Sequence, residues 1–176
     1  MTRERAGESM NATTDAAPNG QGHGYGQGRG REQGRHHVHG LPAGVDVLIS
    51  EVGPRDGLQS IRPTMPLAAK KAWIDAEAAA GVREIEVGSF VPAKLLPQLA
   101  DTAEVVQHAR TIPGLTVAVL VPNLKGAEAA VAAGAHKITI PLSASETHSL
   151  KNVRRTHAQM LDETRGIVAL LRSLPA

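Results

Sequence analysis

The sequence predicts an α/β protein: a parallel sheet of about four βα units, preceded by a tail without regular structure. From Val45 onward, short runs of β-branched residues alternate with stretches rich in Ala and Leu, which is the pattern of repeated strand and helix units. Glycine follows several of the helical stretches, where a left-handed residue closes a helix. Aromatic residues make up only 2% of the chain, so Val, Leu, Ile and Ala must fill the core.

The first unit begins with the strand-like run from Val47 to Val52. Gly53-Pro54 ends this run, because proline has no amide hydrogen to donate to a sheet. A helix is predicted from Pro66 to Ala80, with the proline in its first turn and Gly81 as its C-terminal cap. The inner face of this helix is predicted from helical spacing to contain Leu67, Lys71, Ile74 and Ala78.

The other three units repeat the order of strand, loop and helix. Asn123 is placed to cap the third helix, and Gly134 closes it. The predicted strands are 84–88, 116–121 and 136–140. The predicted helices are 101–110, 123–133 and 153–174, and a loop is predicted at 89–97.

The first 44 residues form a region of different composition. They are rich in Gly, Gln, Arg, His and Asn, and show no period of a strand or helix. Such a segment has too little apolar surface to offset the entropy lost on ordering. We therefore predict a disordered Gly/His-rich tail at residues 1–44 and a folded domain at residues 45–176. We interpret the histidines of the tail as solvated; the alternative is adventitious binding of a divalent metal by His23, His36, His37 and His39.

The charge balance and the residue types exclude several classes of protein. With 19 basic and 17 acidic residues the formal charge is +2, which gives no electrostatic basis for binding nucleic acid. The chain has no cysteine, so it has no disulfide or thiolate metal site, and a cytoplasmic location fits. No stretch approaches the roughly 18 consecutive apolar residues of a membrane span. We expect a soluble, cytoplasmic protein without a membrane partner.

Polar residues follow or end the predicted strands. Arg55 and Asp56 come after the first strand, Glu86 lies on the second, and Asn123 follows the third. In βα folds of this kind the reacting groups lie at the carboxyl ends of the strands. An arginine beside a carboxylate offers an oxygen ligand for a divalent cation and a fixed positive charge for an oxyanion. Glu86 is expected to point to the same place, where it orients Arg55 or relays a proton.

Each candidate also has a structural interpretation. Arg55 and Asp56 can form a surface ion pair worth at most about 1 kcal/mol. Asn123 can act as a helix cap, and Glu146, which follows the fourth strand, can interact with a helix dipole. His157 lies three residues before Met160 and can pack in the core. Residue types and spacing leave both interpretations open.

Four segments together resemble one family. They are SEVGPRDGLQ at 50–59, GSFVPAKLLPQLAD at 88–101, VPNLKGAEAAVAAGA at 121–135, and SASE at 143–146 followed by Lys151-Asn152. In order and spacing they are similar to the first units of the hydroxymethylglutaryl-CoA lyase family, a group of metal-dependent TIM-barrel lyases. The resemblance covers nearly everything after residue 45. It implies a partial TIM (β/α) barrel, because a complete one needs roughly 250 residues.

The resemblance also implies roles for particular residues. Asp56 matches the ligand of a divalent metal, Mg²⁺ or Mn²⁺. Arg55 matches the residue that stabilises the enolate of acetyl-CoA, and Glu86 an acidic residue that supports catalysis. The implied reaction cleaves a 3-hydroxy-3-methylglutaryl-CoA-type substrate to acetoacetate and acetyl-CoA, a step of leucine degradation and ketone body metabolism. The implied contacts with the acyl-CoA substrate are Gln59, Ser89 and Asn123.

The remaining metal ligands of the family, a His-x-His pair and an asparagine, belong to the second half of its barrel. The resemblance therefore implies an incomplete ligand set, and we expect no turnover by this chain alone. A missing C-terminal half or self-association is expected to cover the open sheet edges. Two alternatives stand beside the lyase: a non-catalytic half-barrel interaction protein, and an enzyme of the same superfamily that condenses acetyl-CoA with a 2-oxo acid. The Glu51–Pro54 and Ser89–Val91 segments favour the lyase branch.

Overall fold

A computed structural model of the chain describes residues 47–175, which contain four strands and five α-helices. The predicted tail at residues 1–44 lies outside the described residues. The strands are β1 (Ser50–Glu51), β2 (Glu84–Ser89), β3 (Thr116–Leu120) and β4 (Lys137–Thr139). The helices are α1 (Leu67–Ala79), α2 (Thr102–Ala109), α3 (Leu124–Ala133), α4 (Glu146–Asn152) and α5 (His157–Arg172).

The four strands form one parallel sheet in the order β1-β2-β3-β4, which confirms the predicted α/β fold. All six residues of β2 are buried, because β2 lies inside the sheet. The core is built from aliphatic side chains on the strands and helices, including Ile74, Val87, Val117 and Ile167. Within residues 47–175, no helix is long and apolar enough to cross a membrane.

Several helix ends follow the sequence closely. The side chain of Asn123 accepts a hydrogen bond from the Gly126 amide at 2.9 Å and so caps α3. Gly134 ends that helix with φ at 86°, and Gly81 follows α1 with φ at 101°. These conformations favour glycine because it has no Cβ. The predicted caps are confirmed.

The first unit differs from its prediction in two details. β1 contains only two residues instead of six, and Val47 and Ile49 are 73% and 74% exposed. A strand at the edge of a sheet has one hydrogen-bonded neighbour, so its ends are weakly held. On α1 the buried residues are Lys70, Ile74 and Ala78, so the lysine on the inner face is Lys70 and not Lys71.

The helix predicted at 153–174 is present as α5, and it is preceded by a helix that was not predicted, α4. The segment between α4 and α5 includes Arg154 with a positive φ of 56°. Ser145 caps α4 by accepting from the His148 amide, which places Glu146 in the first helical turn. Thr156 and Gln159 form a reciprocal capping box that starts α5. Each of the two helices therefore has its own start signal.

Candidate active site

The chain leaves β1 through a five-residue turn of π-helix at Gly53–Gly57. A Cβ at Gly53 would lie 2.8 Å from Glu51 Oε1 and 2.9 Å from the ring of Trp73, so only glycine fits there. The turn buries most of the Arg55 side chain, which is 13% exposed, and leaves the Asp56 side chain 55% exposed. Two adjacent charged residues thus enter different environments.

Arg55 joins carboxylates from two successive strand ends. Its Nη1 donates to Asp56 Oδ1 at 2.8 Å, and its Nη2 donates to Glu86 Oε2 at 2.9 Å. Glu86 comes from β2, and its side chain is only 5% exposed. The structure brings together the three residues that the strand ends were predicted to bring together.

Two polar atoms of this cluster have no hydrogen-bond partner among the described residues. They are Arg55 Nε and Glu86 Oε1, and both are buried. Buried polar atoms in native proteins are nearly always paired. These two atoms are therefore exceptions in a cluster that is otherwise hydrogen-bonded.

Asp56 is held by two donors on one oxygen. Gln59 Nε2 donates to Asp56 Oδ1 at 2.7 Å, and Arg55 donates to the same atom. Oδ2 is therefore the oxygen that remains for a cation. Within the described part of the chain, no group of three or more His, Cys, Asp or Glu residues could hold a metal ion. Mg²⁺ needs several converging oxygens, so these residues alone do not fit the ion.

Beside the π-turn, the carboxylates of Glu51 and Glu77 repel each other. Glu51 Oε1 accepts from the amides of Val52 and Gly53, at 3.0 and 2.6 Å. Burial raises the pKa of Glu77, the negative charge of Glu51 raises it further, and a hydrogen bond with Trp73 opposes both. The carboxylate of Glu51, which binds the first amides of the turn, is therefore one cause of the raised pKa of Glu77.

A cleft of about 960 Å³ opens in front of this cluster. Its polar wall contains Arg55, Asp56, Gln59 and Asn123, from the segments that follow β1 and β3. Its apolar wall contains Val91, Pro92, Leu95 and Leu96, from the loop after β2. Its third wall comes from the end of α4 and the segment after it, with His148, Lys151, Arg154 and Arg155.

Ser89 and Asn123 serve the fold in ways that bear on their predicted substrate contacts. Ser89 is 1% exposed, and its hydroxyl accepts from the Val91 amide at 3.2 Å. It does not line the cleft. Asn123 lines the cleft and also caps α3, so its structural interpretation is confirmed. Substrate contact by either residue stays a prediction.

The basic wall of the cleft was missed at the level of sequence. Lys151, Arg154 and Arg155 lie within five residues of each other, and this density of positive charge was the available signal. Arg155 is anchored, because its Nη1 donates to the carbonyl of Pro122 at 3.4 Å and its Nη2 lies 3.4 Å from Glu163 Oε2. Arg154 and Lys151 are exposed at the cleft. This wall favours anionic ligands.

Comparisons with known proteins identify a family model and several lyases that are similar to this chain. The family model described as HMGL-like matches residues 46–176. Mitochondrial hydroxymethylglutaryl-CoA lyase of Macaca fascicularis is 50% identical over 107 residues, which are 61% of this chain and 33% of the relative. The 3-hydroxy-3-isohexenylglutaryl-CoA/hydroxy-methylglutaryl-CoA lyase of Pseudomonas aeruginosa is 47% identical over 107 residues, 61% of this chain and 36% of the relative.

Solved structures give the same result. Hydroxymethylglutaryl-CoA lyase from Pseudomonas aeruginosa matches with a TM-score of 0.67 and 41% identity, over 72% of this chain and 42% of that one. An HMG-CoA lyase "from Acenitobacter baumannii in complex with coenzyme A and 3-methylmalate" matches with a TM-score of 0.67 and 40% identity, over 70% and 41% of the two chains. The chain thus spans about two fifths of these relatives.

Proposed function

The chain belongs to the HMGL-like family, and we therefore propose that it carries the arginine and carboxylate part of a hydroxymethylglutaryl-CoA lyase active site. The proposed activity is carbon–carbon cleavage of a 3-hydroxy-3-methylglutaryl-CoA-type substrate to acetoacetate and acetyl-CoA. The single observation behind it is the guanidinium of Arg55, held between Glu86 and Asp56 at the cleft. We also propose a cytoplasmic location and a role in leucine degradation and ketone body metabolism.

The proposed reaction needs a cation where negative charge develops. A base removes the proton of the tertiary hydroxyl, whose oxygen becomes the new ketone of acetoacetate as the neighbouring carbon–carbon bond breaks. The electron pair of that bond moves into the thioester and forms the enolate of acetyl-CoA, which a proton then converts to acetyl-CoA. A fixed guanidinium beside the thioester oxygen stabilises this charge. We assign that role to Arg55, and to Glu86 the role of holding it.

The basic wall supports coenzyme A as the carrier of the acyl group. Coenzyme A has several phosphate charges, and Lys151, Arg154 and Arg155 supply positive charge in the cleft that Asp56 and Gln59 also line. Arginine suits phosphate because its planar donors bind two oxygens at once. Gln59 and Asn123 line the same cleft and remain our candidates for contact with the acyl part.

The divalent metal, Mg²⁺ or Mn²⁺, enters this proposal with one ligand only. Such an ion polarises substrate oxygens when it is bound. Asp56 Oδ2 is the atom that this chain offers, and the other ligands are proposed to come from protein outside the described residues. Every step assigned above to Arg55 and Glu86 rests on their own contacts.

A complementation assay tests the proposed function. The full chain is mixed with a separately expressed second half of the Pseudomonas aeruginosa lyase and Mg²⁺, and release of acetoacetate from 3-hydroxy-3-methylglutaryl-CoA is measured. Arg55→Met is expected to lower the rate about 10²–10³-fold, as the loss of an oxyanion donor does. Arg165→Met, which changes an arginine on α5 that is 73% exposed, is the matched control and should keep the rate. An assembled pair that releases no acetoacetate would contradict the proposal.

A second candidate function is an interaction protein that binds through its sheet edges. β1 and β4 are the edge strands of the described sheet, and apolar side chains lie exposed near both: Ile49 at 74% and Leu142 at 53%. Exposed apolar residues at strand edges favour association. Sedimentation combined with calorimetry separates the two candidates, because a stable dimer that binds no coenzyme A supports the interaction protein.

A further inference from the structure

Lys70 is a buried lysine that the proposed reaction does not use. It is the fourth residue of α1 and only 2% exposed, and it shares its helix face with Ile74 and Ala78. An ammonium group that leaves water must find close partners, since an unpaired buried charge is costly. The hydrogen-bond partners of Lys70 therefore identify the segment that it anchors.

Both partners belong to the end of the loop after β2. Lys70 Nζ donates to the carbonyl oxygen of Gln98 at 2.6 Å and to Asp101 Oδ1 at 2.5 Å. Asp101 stands at the N-cap position of α2, yet its side chain makes no capping hydrogen bond. Aspartate normally caps a helix from this position. Here its carboxylate is directed to Lys70 instead.

The loop held in this way forms the apolar wall of the cleft. It runs from Phe90 to Ala100 and contributes Val91, Pro92, Leu95 and Leu96 to the lining. Its beginning is fixed where the Ser89 amide donates to Thr102 Oγ1 at 3.1 Å. Lys70 fixes its end, so the cleft wall is fastened on both sides.

A third bond connects the loop to the segment that follows Arg55 and Asp56. Gln98 Nε2 donates to the carbonyl oxygen of Ile61 at 2.6 Å. Lys70 holds the backbone of Gln98, and the side chain of Gln98 holds this neighbouring segment. The two walls of the cleft that contain Arg55 and Leu95 are thereby tied through one residue.

We infer that Lys70 is a positioning residue: it fixes the loop after β2 against the Arg55 segment and so sets the width of the acyl-CoA cleft. The nature of the ligand rests on the proposed function, whereas the hold on the loop rests on the contacts alone. Lys70 does not touch the reacting atoms; it acts through Gln98 and Asp101. Its loss moves a wall of the cleft while the sheet remains in place.

Hydrogen exchange of the full chain tests this inference with three variants. Lys70→Met removes both bonds. Lys70→Met combined with Asp101→Asn also removes the carboxylate that the single variant leaves unpaired. Lys71→Met is the matched control, because it removes the next lysine of the same helix, which is half-buried.

In the single and double variants we expect amide exchange at residues 90–96 to rise about tenfold or more, while the amides of β2 and β3 keep their rates. Affinity for coenzyme A, measured by calorimetry, should fall in both. The control should match the wild type in both measurements. Unchanged exchange at 90–96, or an equal rise across the whole sheet, overturns the inference.

The two proposals fail in different ways. If the wild-type chain binds no coenzyme A, the proposed ligand is wrong, and loop exchange by itself decides the role of Lys70. If coenzyme A binds and its affinity is the same in both Lys70 variants, the cleft width does not depend on Lys70, and the inference is wrong although the proposed function stands.

Discussion

Replacing Glu86 with glutamine is expected to destabilise the fold, because it removes the buried charge that faces Arg55. The two side chains are 5% and 13% exposed, and they are joined by one hydrogen bond of 2.9 Å. Breaking a buried ion pair costs about 3–5 kcal/mol. Arg55 keeps its bond to Asp56, and glutamine keeps a carbonyl acceptor. Because these contacts remain, we expect a smaller loss than that range, about 2–3 kcal/mol.

Urea unfolding followed by circular dichroism measures this loss. With a denaturant slope of about 2 kcal/mol per molar, the midpoint should fall by about 1–1.5 M. Asp56→Asn is the internal comparison. It removes the charge of the other carboxylate that binds Arg55, and the Asp56 side chain is 55% exposed. An exposed pair contributes less than about 1 kcal/mol, so this midpoint should fall by less than about 0.5 M. If the two variants lost the same free energy of unfolding, the difference in burial between Glu86 and Asp56 would not determine their contributions to stability.

Three further changes test local features of the fold. Asn123→Ala should cost about 1 kcal/mol through loss of the α3 cap, seen as a lower melting temperature, while Asn123→Asp should restore it. Gly88→Ala places a Cβ 2.5 Å from Thr102 Oγ1 and should cost about 1–3 kcal/mol in urea unfolding; a smaller cost in a Thr102→Ala background confirms the clash. Glu77 has a raised pKa in the fold, so its contribution to stability is complete below the ordinary value of 4.5 and is lost as the pH rises through the raised value. The unfolding midpoint of Glu77→Gln should therefore rise relative to that of the wild type as the pH rises from 4 to 7. A constant difference between the two midpoints across this range would contradict the raised pKa of Glu77.

The features that the sequence predicted correctly follow either from local signals or from a general rule of the fold. Asn123 and Gly134 were identified as helix ends, since a cap needs only the residue itself and the first or last turn. The strands β2 and β3 were identified because short runs of β-branched residues alternate with stretches rich in Ala and Leu. The meeting of Arg55 and Glu86 was predicted from the rule that parallel strands end at one edge.

The predictions failed where contacts between distant parts of the chain determine the local structure. The stretch from Val47 to Ile49 has strand-forming residues, but at the edge of the sheet it pairs only from Ser50 onward. The break between α4 and α5 contains no glycine or proline, and its backbone turns at Arg154 instead. Thr156 and Gln159 did carry the capping-box signal T-x-x-Q that starts α5. The start of α5 was therefore predictable from the sequence, whereas the exposure of Ile49 was not.

The contacts around Arg55 explain how this part of the candidate site keeps its geometry. Glu86 satisfies the guanidinium from within the sheet, and Gln59 and Arg55 together fix Asp56. The atoms left over are Arg55 Nε and Glu86 Oε1, which are buried and have no partner among residues 47–175. The guanidinium of Arg55 is nevertheless fixed in place by carboxylates from β2 and from the segment after β1.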